Sequence, residues 1–230
     1  MVSIYGVKLL DEMRFLEMKG ILHACLPHEV CDAASKIRFT AGKQRKVLGE
    51  LLLRSIVSRD HNIPSGALRT AYTEKNKPYL ASHPDIHFNI SHSGEWVVIA
   101  FSDQPVGVDV EKIRKVNLNV ARRFFSEEEK NRLFNLPGKE QLSYFFDLWT
   151  LKESFLKAIG TGLTRPLKSF TVMQSTNGFY LGESGEYSRV RLRQVACEKK
   201  YRLSVCSFSE EIDNQLHTLY INDMLELMNV

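Results

Sequence analysis

Val106-Gly107-Val108-Asp109-Val110-Glu111 lies near the middle of the 230-residue chain and alternates with a period of two. That period belongs to a β-strand, so the valines share one face while Gly107, Asp109 and Glu111 share the other. Upstream, residues 86–90 and 96–102 are rich in β-branched and aromatic residues around Ser91-His92-Ser93-Gly94, which predicts strand, turn, strand. Further upstream, Val47, Leu48, Leu51, Leu52, Ile56 and Val57 recur at helical spacing and predict an amphipathic helix over 44–59. Downstream, helices over 126–136 and 141–159 are parted by Pro137-Gly138 and stopped at Gly160-Thr161-Gly162, after which 170–208 reads as strands. A long helix followed by strands thus occurs twice, dividing near Pro105. The expected fold is α+β with two similar lobes, 1–105 and 106–230.

Composition narrows the class. Hydrophobic residues at 43% suffice for a conventional core. The longest apolar runs fall far short of the ~20 residues that span a bilayer, and the first ten residues lack a signal-peptide pattern, so a soluble cytoplasmic protein without membrane partners is expected. Four cysteines, without CxxC pairing or disulfide-scaffold density, read as reduced and mostly buried. A net charge of +4 suits phosphorylated ligands or acidic partners but lacks the long basic stripe that nucleic acid demands.

Asp109 and Glu111, two apart on one strand face, lie about 7 Å apart, where their oxygens either converge on a small cation or merely solvate an exposed surface. Magnesium favours a few carboxylates plus water and phosphate oxygens. On the 141–159 helix, Leu148, Leu151, Phe155 and Ile159 form the core stripe, with Glu153 and Lys157 one turn apart beside it and Lys152 close to it. By spacing alone, Glu153 and Lys157 make a surface pair worth about 0.2–0.5 kcal/mol, and Lys152 snorkels over its neighbours. Ser91-His92-Ser93-Gly94 offers hydroxyls and an imidazole for hydrogen bonding to phosphate. Ser126 and Glu129 fit a capping box, and Lys75-Asn76-Lys77-Pro78 forms a short basic loop. In the stretch 113–134, Phe124, Phe125, Leu133 and Phe134 stand near Arg122, Arg123 and Arg132, either as core or as a patch for an acidic protein helix.

Taken together, Lys77-Pro78, Phe88-Asn89-Ile90-Ser91-His92-Ser93-Gly94, Gly107-Val108-Asp109-Val110-Glu111 and Trp149-Thr150-Leu151-Lys152-Glu153-Ser154-Phe155-Leu156-Lys157 resemble the Sfp-type (Gsp/Sfp) 4'-phosphopantetheinyl transferases in order, spacing and identity. The resemblance implies two α+β lobes related by a pseudo-twofold axis, with coenzyme A bound in the cleft between them. It implies transfer of phosphopantetheine from coenzyme A to a serine of an apo peptidyl or acyl carrier protein, as in the activation of nonribosomal peptide or polyketide synthases that serve antibiotic biosynthesis. By the same resemblance Asp109, Glu111 and Glu153 are magnesium (Mg2+) ligands, and Lys157 holds the pyrophosphate with Lys152 beside it. Ser91 and His92 contact coenzyme A, Lys77 and Pro78 flank its adenine, and Arg45 reaches a phosphate. Glu153 is the first candidate for the general base and Glu129, through water, the second. A monomer is expected, since two lobes in one chain already make the cleft. Asn76 stands where the family often has glycine, and asparagine tolerates positive φ better than most residues.

Overall fold

The computed structural model describes residues 1–176, 178–182 and 185–228. In chain order the elements are β1 (Ser3–Lys8), α1 (Glu12–Glu17), α2 (Lys19–Cys25), α3 (His28–Ser35), α4 (Thr40–His61), β2 (Thr70–Tyr72), β3 (Pro78–Leu80), β4 (His87–Ser93) and β5 (Trp96–Ser102). Then follow β6 (Val106–Lys112), α5 (Val120–Phe124), α6 (Glu127–Asn135), α7 (Gly138–Ile159), β7 (Val172–Ser175), β8 (Gly178–Leu181), β9 (Arg191–Val195), β10 (Tyr201–Ser207), β11 (His217–Thr218) and α8 (Ile221–Glu226). One order of elements occurs twice: opening strand, short helices, a 22-residue helix, a short hairpin, then an antiparallel strand pair. In each case the opening strand pairs with the last strand, giving β1-β5-β4 in one sheet and β6-β10-β9 in the other. The α+β fold with two similar halves follows from that repetition.

Burial explains why both helices form. Leu48, Leu51, Leu52 and Ile56 of α4 share a core cluster with Val7, Val97 and Ile99. Leu148, Leu151 and Phe155 of α7 share a second with Phe125, Phe145 and Phe170. A third joins Val98 and Ala100 of β5 to Val106, Val108 and Val110, so the valine face of β6 is the one turned inward between the sheets. Each such side chain withdrawn from water contributes roughly 1.5–3 kcal/mol. The helix over 44–59 extends to Thr40–His61 and ends where Asn62 takes a left-handed φ of 53°. Asn76, at φ 61°, adopts the positive φ that its residue type tolerates. Among the described residues no helix is long and apolar enough to cross a membrane.

Two placements differ from the sequence reading. Ser91, His92 and Ser93 belong to strand β4 rather than to the turn. Ser93 pairs with Trp96, so the reversal is confined to Gly94-Glu95, with Gly94 at φ 55°. In addition, the chain does not finish with the second sheet. β11 runs parallel to β1, and Ile221, Met224 and Leu225 of α8 enter the first core.

Gly107 lets the second half close on its own helix. A Cβ there would sit 2.1 Å from the Ser154 carbonyl oxygen and 2.3 Å from the Ala158 nitrogen, both backbone atoms. Gly107→Ala is therefore expected to destabilise the fold by about 3 kcal/mol, read as a fall in the urea midpoint; an unchanged midpoint would mean that the strand and helix are free to separate.

Candidate active site

Strands β4 and β6 are edge strands that face one another without a backbone ladder. Side chains of β4 fill the gap at every second residue. Asn89 Oδ1 accepts from the Val108 amide at 2.9 Å, Ser91 Oγ from Val110 at 3.3 Å, and Ser93 Oγ from Lys112 at 3.1 Å. The two hydroxyls then donate onward, Ser91 to Asp109 Oδ1 at 3.0 Å and Ser93 to Glu111 Oε2 at 2.7 Å. The seam that joins the halves thus also orients both acids of β6.

The close approach at Gly107 lays the last turns of α7 over the same strand face. Lys157 Nζ donates to Asp109 Oδ1 at 2.6 Å, Ser91 Oγ at 3.0 Å and the Val108 carbonyl at 3.1 Å. Asp109 is 5% exposed, and its Oδ2 is buried without a hydrogen-bond partner. Desolvation raises the pKa of half-buried Glu153, and the charges of Asp109 and Glu111 raise it further, against Lys157. Glu111 is raised chiefly by burial and also by Asp109, against its bond from Ser93. The structure therefore brings Asp109, Glu111, Glu153, Lys157 and Ser91 together, three like charges around one ammonium.

Among the described residues no three histidine, cysteine or acidic side chains are gathered into a ready-made metal site. The donor chemistry nonetheless fits a hard cation: all-oxygen ligands, a buried carboxylate oxygen lacking a donor, and acids that repel one another.

Beside this cluster a cavity of about 440 Å³ is lined by Arg45, Lys46, Tyr72, Pro78, Phe88 and His92. Arg45 Nη2 donates to the Gly94 carbonyl at 2.7 Å, while its Nε is buried without a partner. The pKa of His92 is lowered by desolvation, and Arg45 and Lys157 push the same way. Lys77, expected with Pro78 to flank the adenine, directs its ammonium to the carbonyls of Val106 and Ala158 at 3.3 and 2.9 Å.

Lys152 and Glu129 do not join the cluster. Both side chains are fully buried, with Lys152 Nζ 2.5 Å from Glu129 Oε1 and 2.7 Å from the Phe170 carbonyl. Glu129 Oε1 also accepts from the Val172 amide, and Oε2 from the Ser126 amide in the capping box. Periodicity could not find this, because a lysine beside the apolar stripe reads as a snorkelling one until its buried partner is known. In the 113–134 stretch, Phe125 and Leu133 are core. Phe124 and Phe134 are half-buried, with the exposed Arg123 and Arg122 guanidinium groups 5.4 and 4.6 Å over their rings. Sequence reasoning missed Asn89 and offered the Ser93 hydroxyl to phosphate rather than to Glu111 and the Lys112 amide; the signal was the polar alternation Asn89, Ser91, Ser93 along β4.

Removing one partner of a buried ion pair strands the other. Lys152→Met should thus cost about 3–5 kcal/mol, and the further change Glu129→Leu should recover much of it in a double-mutant urea series; purely additive losses would refute the coupling.

Comparison with known proteins gives the family of the chain. Residues 105–206 match the family profile described as 4'-phosphopantetheinyl transferase superfamily, and residues 17–104 match that described as 4'-phosphopantetheinyl transferase, N-terminal. The chain is 36% identical over 182 residues to the 4'-phosphopantetheinyl transferase Sfp of Bacillus subtilis (strain 168), covering 79% of this chain and 81% of that protein. It is 34% identical to the 4'-phosphopantetheinyl transferase psf-1 of Bacillus pumilus over 99% of both. A holo-(acyl-carrier-protein) synthase from Bacillus anthracis str. Ames, solved in complex with CoA (3',5'-ADP), overlaps 45% of this chain and 93% of its own at a TM-score of 0.40 and 23% identity. With relatives this similar over nearly the whole length, and with the acids, the lysine and the seam serines of the resemblance assembled at one place, the chain belongs to the 4'-phosphopantetheinyl transferases.

Proposed function

We propose that the protein transfers the 4'-phosphopantetheine group of coenzyme A to a serine of an apo peptidyl or acyl carrier protein, releasing 3',5'-ADP, and that it activates nonribosomal peptide or polyketide synthases. The observation that carries this reading is the convergence of Lys157 with Asp109, Glu111 and Glu153 on the seam beside the Arg45–His92 cavity. Arg45 and His92 receive the 3'-phosphate, Pro78 flanks the adenine, and Ser91 and Lys157 meet the pyrophosphate at the seam. Residues 1–105 then supply the nucleotide contacts and residues 106–230 the acids and the catalytic helix, which suits a cytosolic monomer.

In the transfer the serine oxygen bonds to the β-phosphorus of coenzyme A while the bond from that phosphorus to the oxygen of the 3',5'-ADP leaving group breaks. Lys157 holds a positive charge where negative charge accumulates on the pyrophosphate. Glu153 takes the serine proton, being the carboxylate that α7 carries one turn from Lys157 on the seam. Glu129 has both oxygens engaged inside the second core, and Lys152 is spent on Glu129 and Phe170, so neither is given a contact with the reacting groups. A magnesium ion held by Asp109, Glu111 and Glu153 would supply further neutralisation of the pyrophosphate.

The intact mass of an apo peptidyl carrier domain, followed after incubation with coenzyme A, tests the reading. A phosphopantetheine-sized gain that requires magnesium and vanishes in Asp109→Ala is expected; no gain across several carrier domains would overturn the proposal. For docking, the guanidinium groups of Arg122 and Arg123, stacked on half-buried rings, offer an apolar-and-basic surface to an acidic carrier helix. Arg122→Glu with Arg123→Glu should raise the KM for carrier protein about tenfold and leave that for coenzyme A alone; an unchanged carrier KM would take these residues out of the interface.

A further inference from the structure

Lys77 lies on the β2–β3 hairpin of the first half, and its side chain crosses to the second. Its neighbour Lys75 is exposed to water, but the Lys77 stem lies against Gly160, with Cδ 3.4 Å from where a Cβ on that glycine would be. The ammonium donates to the carbonyl of Ala158 at 2.9 Å and to that of Val106 at 3.3 Å. Ala158 belongs to the last turn of α7, whose carbonyls have no partner within the helix. Val106 opens β6, the strand that α7 meets at Gly107. One cation of the first half therefore fastens the end of the catalytic helix to the start of the acid-bearing strand. Burial brings the Lys77 pKa down to about 8, the mark of an ammonium drawn out of water for these two carbonyls. Its peptide neighbours in the second half are consequential: Ala158 adjoins Lys157, whose three hydrogen bonds end on Asp109, Ser91 and Val108.

We infer that the Lys77 ammonium positions the catalytic groups, a clasp from the first half that sets where the last turn of α7 presents Lys157 and Glu153 to the reacting phosphates. The inference rests on the transferase reading given above, and it predicts a defect in turnover rather than in coenzyme binding. A cavity of about 570 Å³ lined by Lys77, Pro105, Ala158 and Gly160 opens beside the clasp, which gives a small amine a route to the same carbonyls.

Lys77→Met retains the stem and removes the donors. Displacing reacting groups by a fraction of an ångström to 1 Å lowers rates by about 10- to 100-fold. A fall in kcat of about that size is expected, with the KM for coenzyme A and the Kd for 3',5'-ADP within about threefold of the parent and with faster amide hydrogen exchange over residues 154–160. A raised KM for coenzyme A with kcat retained would overturn the inference in favour of direct contact, and a lowered Tm with kcat intact would reduce Lys77 to a structural role. Should Lys77→Met not fold, Lys77→Ala assayed with added propylammonium decides: recovery of kcat supports the clasp, and its absence at saturating amine refutes it. The exchange measurement needs no substrate, so unchanged protection over 154–160 would refute the clasp even if the transferase reading itself failed.

Discussion

Two edge strands, β4 and β6, must lie side by side without a backbone ladder between them, and the rest of the molecule is arranged around that constraint. Asn89, Ser91 and Ser93 satisfy the amides of β6 that would otherwise be buried without a partner, at about 1–3 kcal/mol each. Because a serine hydroxyl both accepts and donates, the atoms that satisfy the backbone also orient Asp109 and Glu111. Gly107 then brings α7 onto the same face, and Glu153 and Lys157 arrive with it.

Electrostatically the site and the second core solve the same problem differently. Glu129 and Lys152 form a closed pair in which both Glu129 oxygens and the Lys152 ammonium have partners, so the charges are locked and silent. On the seam the charges stay open, with Asp109 Oδ2 bare, Glu111 pushed up by burial and by Asp109, and Glu153 by burial and by both of those acids. A buried carboxylate oxygen left without a donor is what a cation would complete.

Much of this was legible in the sequence, and the failures have physical causes. The period of two over 106–111 and the helical stripes of α4 and α7 located the three elements that matter, because a buried face imposes its repeat on the residues. Ser91-His92-Ser93-Gly94 misled because polar residues favour turns, whereas here they are the adhesive of a strand edge. Lys152 misled because local pattern cannot register a partner 23 residues away. The return of β11 and α8 to the first core went unread for the same reason: strand pairing across nearly the whole chain leaves no local signature.

That return bears on how the chain acquires its shape during synthesis. Tyr5 pairs with His217 and Gly6 with Thr218, so one flank of β1 remains uncovered until residues 217 and 218 have left the ribosome. The first core likewise lacks Ile221, Met224 and Leu225 until then. Contacts of such high sequence separation are slow to form, and a nascent chain halted before residue 217 would expose an unpaired strand edge, the kind of surface that recruits chaperones or other unfinished chains.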